Sequence, residues 1–400
     1  MDILKSPLEV PVELKIILLC CGDLELNQDQ LSQLREFLSL DVDWAILLES
    51  ARYHRLVLLL ARELNNHRGQ VPGWVMETLG KERRLIAQAN LRQVKELNSI
   101  SKALAASDIP LILLKGLSST HLFFNGDVGL RQSSDIDLLI KPADFPAVAE
   151  VLFELGFDLN FDSKIPAREL VKRKQFQSVQ ELTFVKKELK IDLHCQLAHF
   201  AALPIDPDDL WNGSQEHTIY GAKVRLLAEE LLFIYLCVHG SRHNWMRLHW
   251  LNDINYMLKN NELNWSIVVA EAEKLGVMPC VGVAFRVSNL VFGTPVPYQI
   301  KARNQVWKNA CRLSAKILPD ILSCPPKKFT THGIRAQFSY WLWCLRLQTK
   351  PMNKLKTIYS SFQPSDKDLA TMQLPDRLSW MYVFVRIVRA GKVLLSKYVS

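Results

Sequence analysis

Residues Leu113–Ile140 read LLKGLSSTHLFFNGDVGLRQSSDIDLLI. The stretch begins inside an apolar run, Ile109–Leu114, which follows a turn signal at Asp108 and suits a short buried strand. Lys115–Gly116 comes next, then a short helix to about Phe124 and a loop at Asn125–Gly126–Asp127. Ser134–Ile140 alternates polar and apolar side chains and is expected to be a second strand. Side chains two apart on a strand share a face, so Asp135 and Asp137 point one way while Ile136 and Leu138 point to the core. Two close carboxylates repel unless a cation lies between them, and a hard divalent ion with oxygen ligands, Mg2+ or Mn2+, meets that need. Mg2+ takes few protein carboxylates and completes its shell with water and phosphate oxygens, so an Asp-x-Asp strand points to phosphate chemistry. Taken alone, the pair is also what an exposed strand edge commonly carries.

The neighbours of the pair sharpen it. Gly116 sits where a strand hands over to a helix, so backbone amides there can approach a phosphate and the helix N-terminus favours an anion. Ser118 and Ser119 add hydroxyls in the first helical turn, Lys115 can reach a phosphate, and Arg131 can pair with carboxylates or with triphosphate. An ordinary strand-to-helix turn reads the same way. Downstream, Lys190–His194 places Asp192 on another expected strand, where it joins Asp135 and Asp137 if the strands are neighbours, about 4.8 Å apart; otherwise it is an edge-strand aspartate. His239 and His243, four apart on an expected helix, could share a metal, and Trp245 and Trp250 could stack a base; lining the cleft or filling the core is the commoner fate of each.

Outward from this segment the chain divides into four. Residues 1–105 read as a helical N-terminal domain, with helical spacing over Val12–Cys21, Gln28–Leu40, Trp44–Leu64 and Trp74–Leu104. Residues 106–227 alternate strand and helix: a helix from Pro142 or Ala143 to Leu155 stopped by Gly156, strands at Ser178–Val185 and Leu189–Leu193, and a hairpin turning at Gly221. Residues 228–325 are helical again, over Glu229–His243, Leu248–Asn260, Trp265–Leu275 and Met278–Phe292. Residues 326–400 form a basic helical region, with Gly333–Lys350 and Leu378–Tyr398 separated by a linker. The fold class expected is α+β, a small mixed-sheet core flanked by helical regions.

Charge is unevenly spread. The net charge is +8 over 400 residues, yet Lys301–Ser400 holds 18 lysines and arginines against four aspartates. Such a block is either a solvated surface or a contact for RNA or an anionic membrane. The eight cysteines lack any C-x-x-C pair and suggest reduced core thiols. Met1–Lys15 has no continuous apolar core, and no stretch approaches the roughly 20 apolar residues of a membrane span, so a cytoplasmic protein without a cleavable signal is expected.

The Lys115–Gly116 turn, Arg131, the strand Asp135–Ile136–Asp137–Leu138–Leu139 and Asp192–Leu193–His194 together resemble the polymerase-beta-like nucleotidyltransferase superfamily, and within it the uncharacterised nucleotidyltransferase family found in many bacteria. Type IV toxin nucleotidyltransferases look similar over the same core. His239, His243, Trp245, Arg247, Trp250 and Asp253 resemble that family's helical segment after the catalytic domain. The chain departs from the superfamily in having Leu117 after Gly116, 19 residues from Gly116 to Asp135, and Cys195 where an aromatic residue is usual. The resemblance implies an enzyme in which Asp135, Asp137 and Asp192 are catalytic and bind metal, while Lys115, Gly116, Ser118, Ser119 and Arg131 bind a nucleoside triphosphate. It implies transfer of a nucleoside monophosphate to a hydroxyl of a small molecule, a protein or RNA, with pyrophosphate released. The competing reading is a catalytically silent scaffold of the same fold that binds a protein, RNA or anionic membrane through its basic end.

Overall fold

The computed structural model describes residues 10–160, 166–172, 181–197, 203, 205–260, 262–326 and 334–360, with isolated positions beyond 360. Four N-terminal helices come first: α1 (Val12–Gly22), α2 (Gln28–Leu38), α3 (Trp44–His54) and α4 (Val57–Leu64). Asn27 caps α2 through a reciprocal pair of bonds with Gln30, and the Asp43 carboxylate accepts the amides of Ala45 and Ile46 to start α3. The single helix expected over Trp44–Leu64 is broken. Arg55 adopts a left-handed backbone (φ 57°), and the Leu56 amide donates back to Ala51 O, which closes α3 without a glycine or proline. The 33-residue α5 (Gly73–Ala105) then runs to the sheet.

The sheet has seven strands in the order β3-β4-β5-β2-β1-β7-β6: β1 (Ile112–Leu113), β2 (Ile136–Leu139), β3 (Asp158–Leu159), β4 (Glu181–Lys186), β5 (Leu189–His194), β6 (Gln215–Ile219) and β7 (Ala222–Leu226). β2–β5 and β1–β7 pair in parallel and the other neighbours antiparallel, so the sheet is mixed and the fold α+β. The first strand is shorter than the run Ile109–Leu114, and the first three residues of the expected strand Ser178–Val185 lie outside the described residues. Short helices α6 (Leu117–Phe123), α7 (Phe145–Glu154), α8 (Ala167–Leu170) and α9 (Pro207–Asn212) fill the connections.

The helices that follow are α10 (Glu229–Arg242), α11 (Leu248–Asn260), α12 (Trp265–Leu275), α13 (Met278–Phe292), α14 (Tyr298–Lys301), α15 (Asn304–Ile321), α16 (Ile334–Arg346) and α17 (Pro351–Ser360). α17 occupies part of the expected linker, while most of Leu378–Tyr398 lies outside the described residues. No helix of the described residues is long and apolar enough to cross a membrane. All eight cysteines are free, and six of them are buried.

Two cores lie on the two faces of the sheet. Ile136, Leu138 and Ile140 pack with Leu97, Ile100 and Leu104 of α5 and with Val148 and Leu152 of α7. Leu139, Ile112 and Leu114 face the other way, into a cluster that joins α1, α3 and α4 to α10–α13 and α15. Helices from both ends of the chain thus share one core, and the Asp137 side of β2 faces them.

Candidate active site

Period-two alternation carries Asp135 and Asp137 onto the face of β2 opposite Ile136 and Leu138. The parallel register of β2 and β5 sets Asp137 directly beside Asp192, so the three aspartates reach one cleft of about 550 Å3. Asp137 is buried (1% exposed). Its Oδ1 accepts Lys115 Nζ at 2.5 Å and lies 3.1 Å from His194 Nε2, while its Oδ2 is buried without a hydrogen-bond partner. Burial works to protonate Asp137, but the Lys115 charge and the His194 contact outweigh it and hold the carboxyl below its ordinary value. Asp192 accepts a hydrogen bond from Thr183 Oγ1 at 2.7 Å. Burial, then the charges of Asp137, Glu181 and Asp135, push its pKa up to about 6.

Sequence reasoning overlooked one extension of this acid wall. β4 pairs with β5 so that Glu181 lies opposite His194, and Glu181 Oε2 is 3.6 Å from His194 Nδ1. His194 therefore sits between Glu181 and Asp137. Burial opposes its charge, but the bond to Asp137 and the negative charge of Glu181 win and raise its pKa. The alternation of β4 was the available signal, and it needed the register to be used.

The Lys115–Gly116 turn lies against these groups. Gly116 has φ 70° and ψ −105°, which only glycine adopts at ease, and a Cβ there would come 2.7 Å from Ser133 Oγ. Lys115 lines the cleft, and Asp137 and Asp135 raise its pKa against the effect of burial. Arg131 also reaches the cleft, but its guanidinium forms a bidentate pair with Asp253 of α11 (2.7 and 2.6 Å) and donates to Gly116 O at 3.2 Å. It ties the turn to α11. Ser118 and Ser119 are fully buried and are not among the cleft-lining residues, where Ser133 and Ser134 stand instead.

The opposite wall comes from α3, α10 and α11. His239 and His243 have ring centroids 4.8 Å apart and lie 5.3 and 5.0 Å from the Trp250 ring. Burial, then the neighbouring charges of His243 and Lys115, keep His239 neutral. Trp245 does not reach the cleft; it is fully buried, its ring laid over Gly240, where any Cβ would collide with it. Arg55, Arg242 and Arg247 complete the lining.

The sequence pattern of a family described as uncharacterised nucleotidyltransferases matches residues 41–293. The chain belongs to this family. The match runs from just before α3 to the end of α13 and so takes in every residue that lines the cleft of this nucleotidyltransferase family member, from Arg55 to Trp250. No curated protein matches the chain in sequence. Among solved structures, that of an antigenic nucleotidyltransferase-like protein from Paracoccidioides brasiliensis is similar at 15% identity, over 50% of this chain and 96% of that one, with a TM-score of 0.29.

The family member's acid cluster is chemically suited to a divalent cation. It has hard oxygen donors, one buried carboxylate oxygen without a partner, and a second carboxyl whose ionisation is opposed by negative neighbours. Among the described residues no three His, Cys, Asp or Glu side chains already stand in metal-ligand geometry, and the cation that Asp137 holds is the Lys115 ammonium.

Proposed function

We propose that the chain is a metal-dependent nucleotidyltransferase that moves a nucleoside monophosphate from a nucleoside triphosphate to a hydroxyl-bearing acceptor and releases pyrophosphate. The observation that carries this reading is the convergence of Asp135, Asp137 and Asp192 from two parallel strands on one cleft beside the Lys115–Gly116 turn. When bound, Mg2+ or Mn2+ supplies charge stabilisation to the attacking and leaving oxygens of the displacement at the α-phosphorus. Asp135 and Asp137 hold that charge in place, and the buried Oδ2 of Asp137 is the natural donor. Asp192 orients the acceptor hydroxyl and takes its proton as the oxygen bonds to phosphorus. The Gly116 turn brings backbone close to the phosphates, and Lys115, which lines the cleft, would balance triphosphate charge if a metal ion were held by Asp135 and Asp137. Arg131 keeps the turn in register through Asp253. Catalysis of this kind rests on positioning and electrostatics and requires no side-chain nucleophile.

The test is a transfer assay with each of the four nucleoside triphosphates labelled at the α-phosphate. Acceptors are RNA ends, hydroxyl-bearing small molecules and mixed proteins, with Mg2+ or Mn2+. The reading requires label on an acceptor with equal release of pyrophosphate, and its loss in Asp137→Ala. Nucleotide binding without transfer to any acceptor favours the silent scaffold.

A further inference from the structure

Arg55 and Arg247 line the cleft beside the aspartates. Neither makes an ion pair among the described residues; Arg55 donates only to Ser134 Oγ, at 2.9 Å. The two stand close because the end of α3 and the start of α11 are tied together, the Leu248 amide donating to His54 Nδ1 at 3.3 Å. Three neighbouring groups register the positive field. Burial and then Arg247 lower the Arg55 pKa to about 10, burial and then Arg247 lower His54 to about 3, and burial with Arg55, Arg131 and Arg247 keeps His249 neutral. Arg131, by contrast, is neutralised by Asp253. Arg55 also occupies a left-handed helix-ending position where glycine is the unstrained choice, so a local preference has been overridden at a cleft residue. Asp135 and Asp137 offset part of the positive charge at Arg55 without pairing with it, and two half-buried guanidiniums held side by side repel until an anion bridges them; their planar forks match phosphate oxygens.

We propose that Arg55 and Arg247 form an anion seat for the β- and γ-phosphates of the nucleoside triphosphate, a placement that rests on the nucleotidyltransferase reading. Ser134, which holds Arg55, directly precedes Asp135, so a tail anchored there leaves the α-phosphate over the carboxylates. The phosphates are gripped from the α3 and α11 side of the cleft, not by Ser118 and Ser119.

The experiment titrates inorganic tripolyphosphate, in the presence of a chelator, into the full chain and into Arg55→Gln, Arg247→Gln, Arg55→Lys and the surface control Lys301→Gln. Wild type and the control bind. Each glutamine variant binds about 10- to 100-fold more weakly, and Arg55→Lys falls between. Unchanged binding in the glutamine variants, or no binding by wild type, overturns the seat. Nucleotide arms identify whose phosphates it holds: the variants weaken nucleoside triphosphate and leave the monophosphate unaffected. Weakened binding of single-stranded RNA with unchanged triphosphate binding assigns the seat to an acceptor and overturns the proposal. The Asp135→Ala/Asp137→Ala protein retains metal-free tripolyphosphate binding, so loss of transfer and loss of the seat are read separately.

Discussion

At the scale of single residues, the site depends on atoms that side-chain chemistry alone does not supply. Gly116 is the clearest case, since its backbone region and the approach of Ser133 and Asp135 O both exclude a Cβ. Gly116→Ala should cost roughly 1–3 kcal/mol of stability by urea unfolding and displace Lys115 from Asp137. It should weaken nucleotide binding even where the protein stays folded; full binding by this variant contradicts the tight turn. His54 makes a prediction about pH. Its folded pKa of about 3 lies below the 6.5 of the unfolded chain, so the unfolded state takes up the proton first. The stabilisation is complete above pH 6.5 and is lost as pH falls toward 3, at roughly 1.4 kcal/mol per unit. His54→Asn keeps an acceptor for the Leu248 amide but does not titrate. The advantage of wild type over this variant should therefore shrink on acidification, and a constant difference between pH 7.5 and 5 would refute the assignment.

At the scale of elements, periodicity made the helices after Ala228 and the Asp-x-Asp strand legible, because apolar spacing is a local property. Asp192 was legible as a candidate, and only the parallel pairing of β2 and β5 turned it into a neighbour of Asp137. Arg55 could not be read as a cleft residue, for nothing in the run Trp44–Leu64 marks a helix break; the break separates two helices that each pack on α1, a tertiary arrangement that local spacing does not record. Nor does the sequence distinguish Trp245 as core from Trp250 as cleft wall. That distinction follows from Gly240, whose bare backbone leaves room for the Trp245 ring on α10. Gly240→Ala forces the ring outward and should destabilise by about 1–3 kcal/mol, seen as a lower urea midpoint. It should also disturb His239 and His243, which ride on the same helix; a variant as stable as wild type would show that the ring has another place to go.

At the scale of the whole molecule, the sheet cannot stand by itself. One face packs on α5 and α7, and the other contributes Ile112, Leu114 and Leu139 to the core that joins N-terminal helices to those after residue 228. α5 also holds the chain leading to Asp135: Asn90 Nδ2 donates to Val128 O and Arg131 O, and its Oδ1 accepts the Ser133 amide. The sequence marks residues 106–227 as a unit by their strand pattern, yet the partners that bury that unit are distant in sequence, which local periodicity does not record. Residues 106–227 produced alone should lack cooperative unfolding and a dispersed amide spectrum, whereas the full chain shows both. A cooperatively folding fragment would mean that the shared core is dispensable.

The most direct measurement is calorimetric titration of ATP, GTP, CTP and UTP, each with Mg2+ or Mn2+, into wild type and the Asp135→Ala/Asp137→Ala variant. The account predicts saturable binding of at least one nucleotide that is strengthened by the ion, and no such strengthening in the variant. A well-folded wild type that binds none of the four would contradict it.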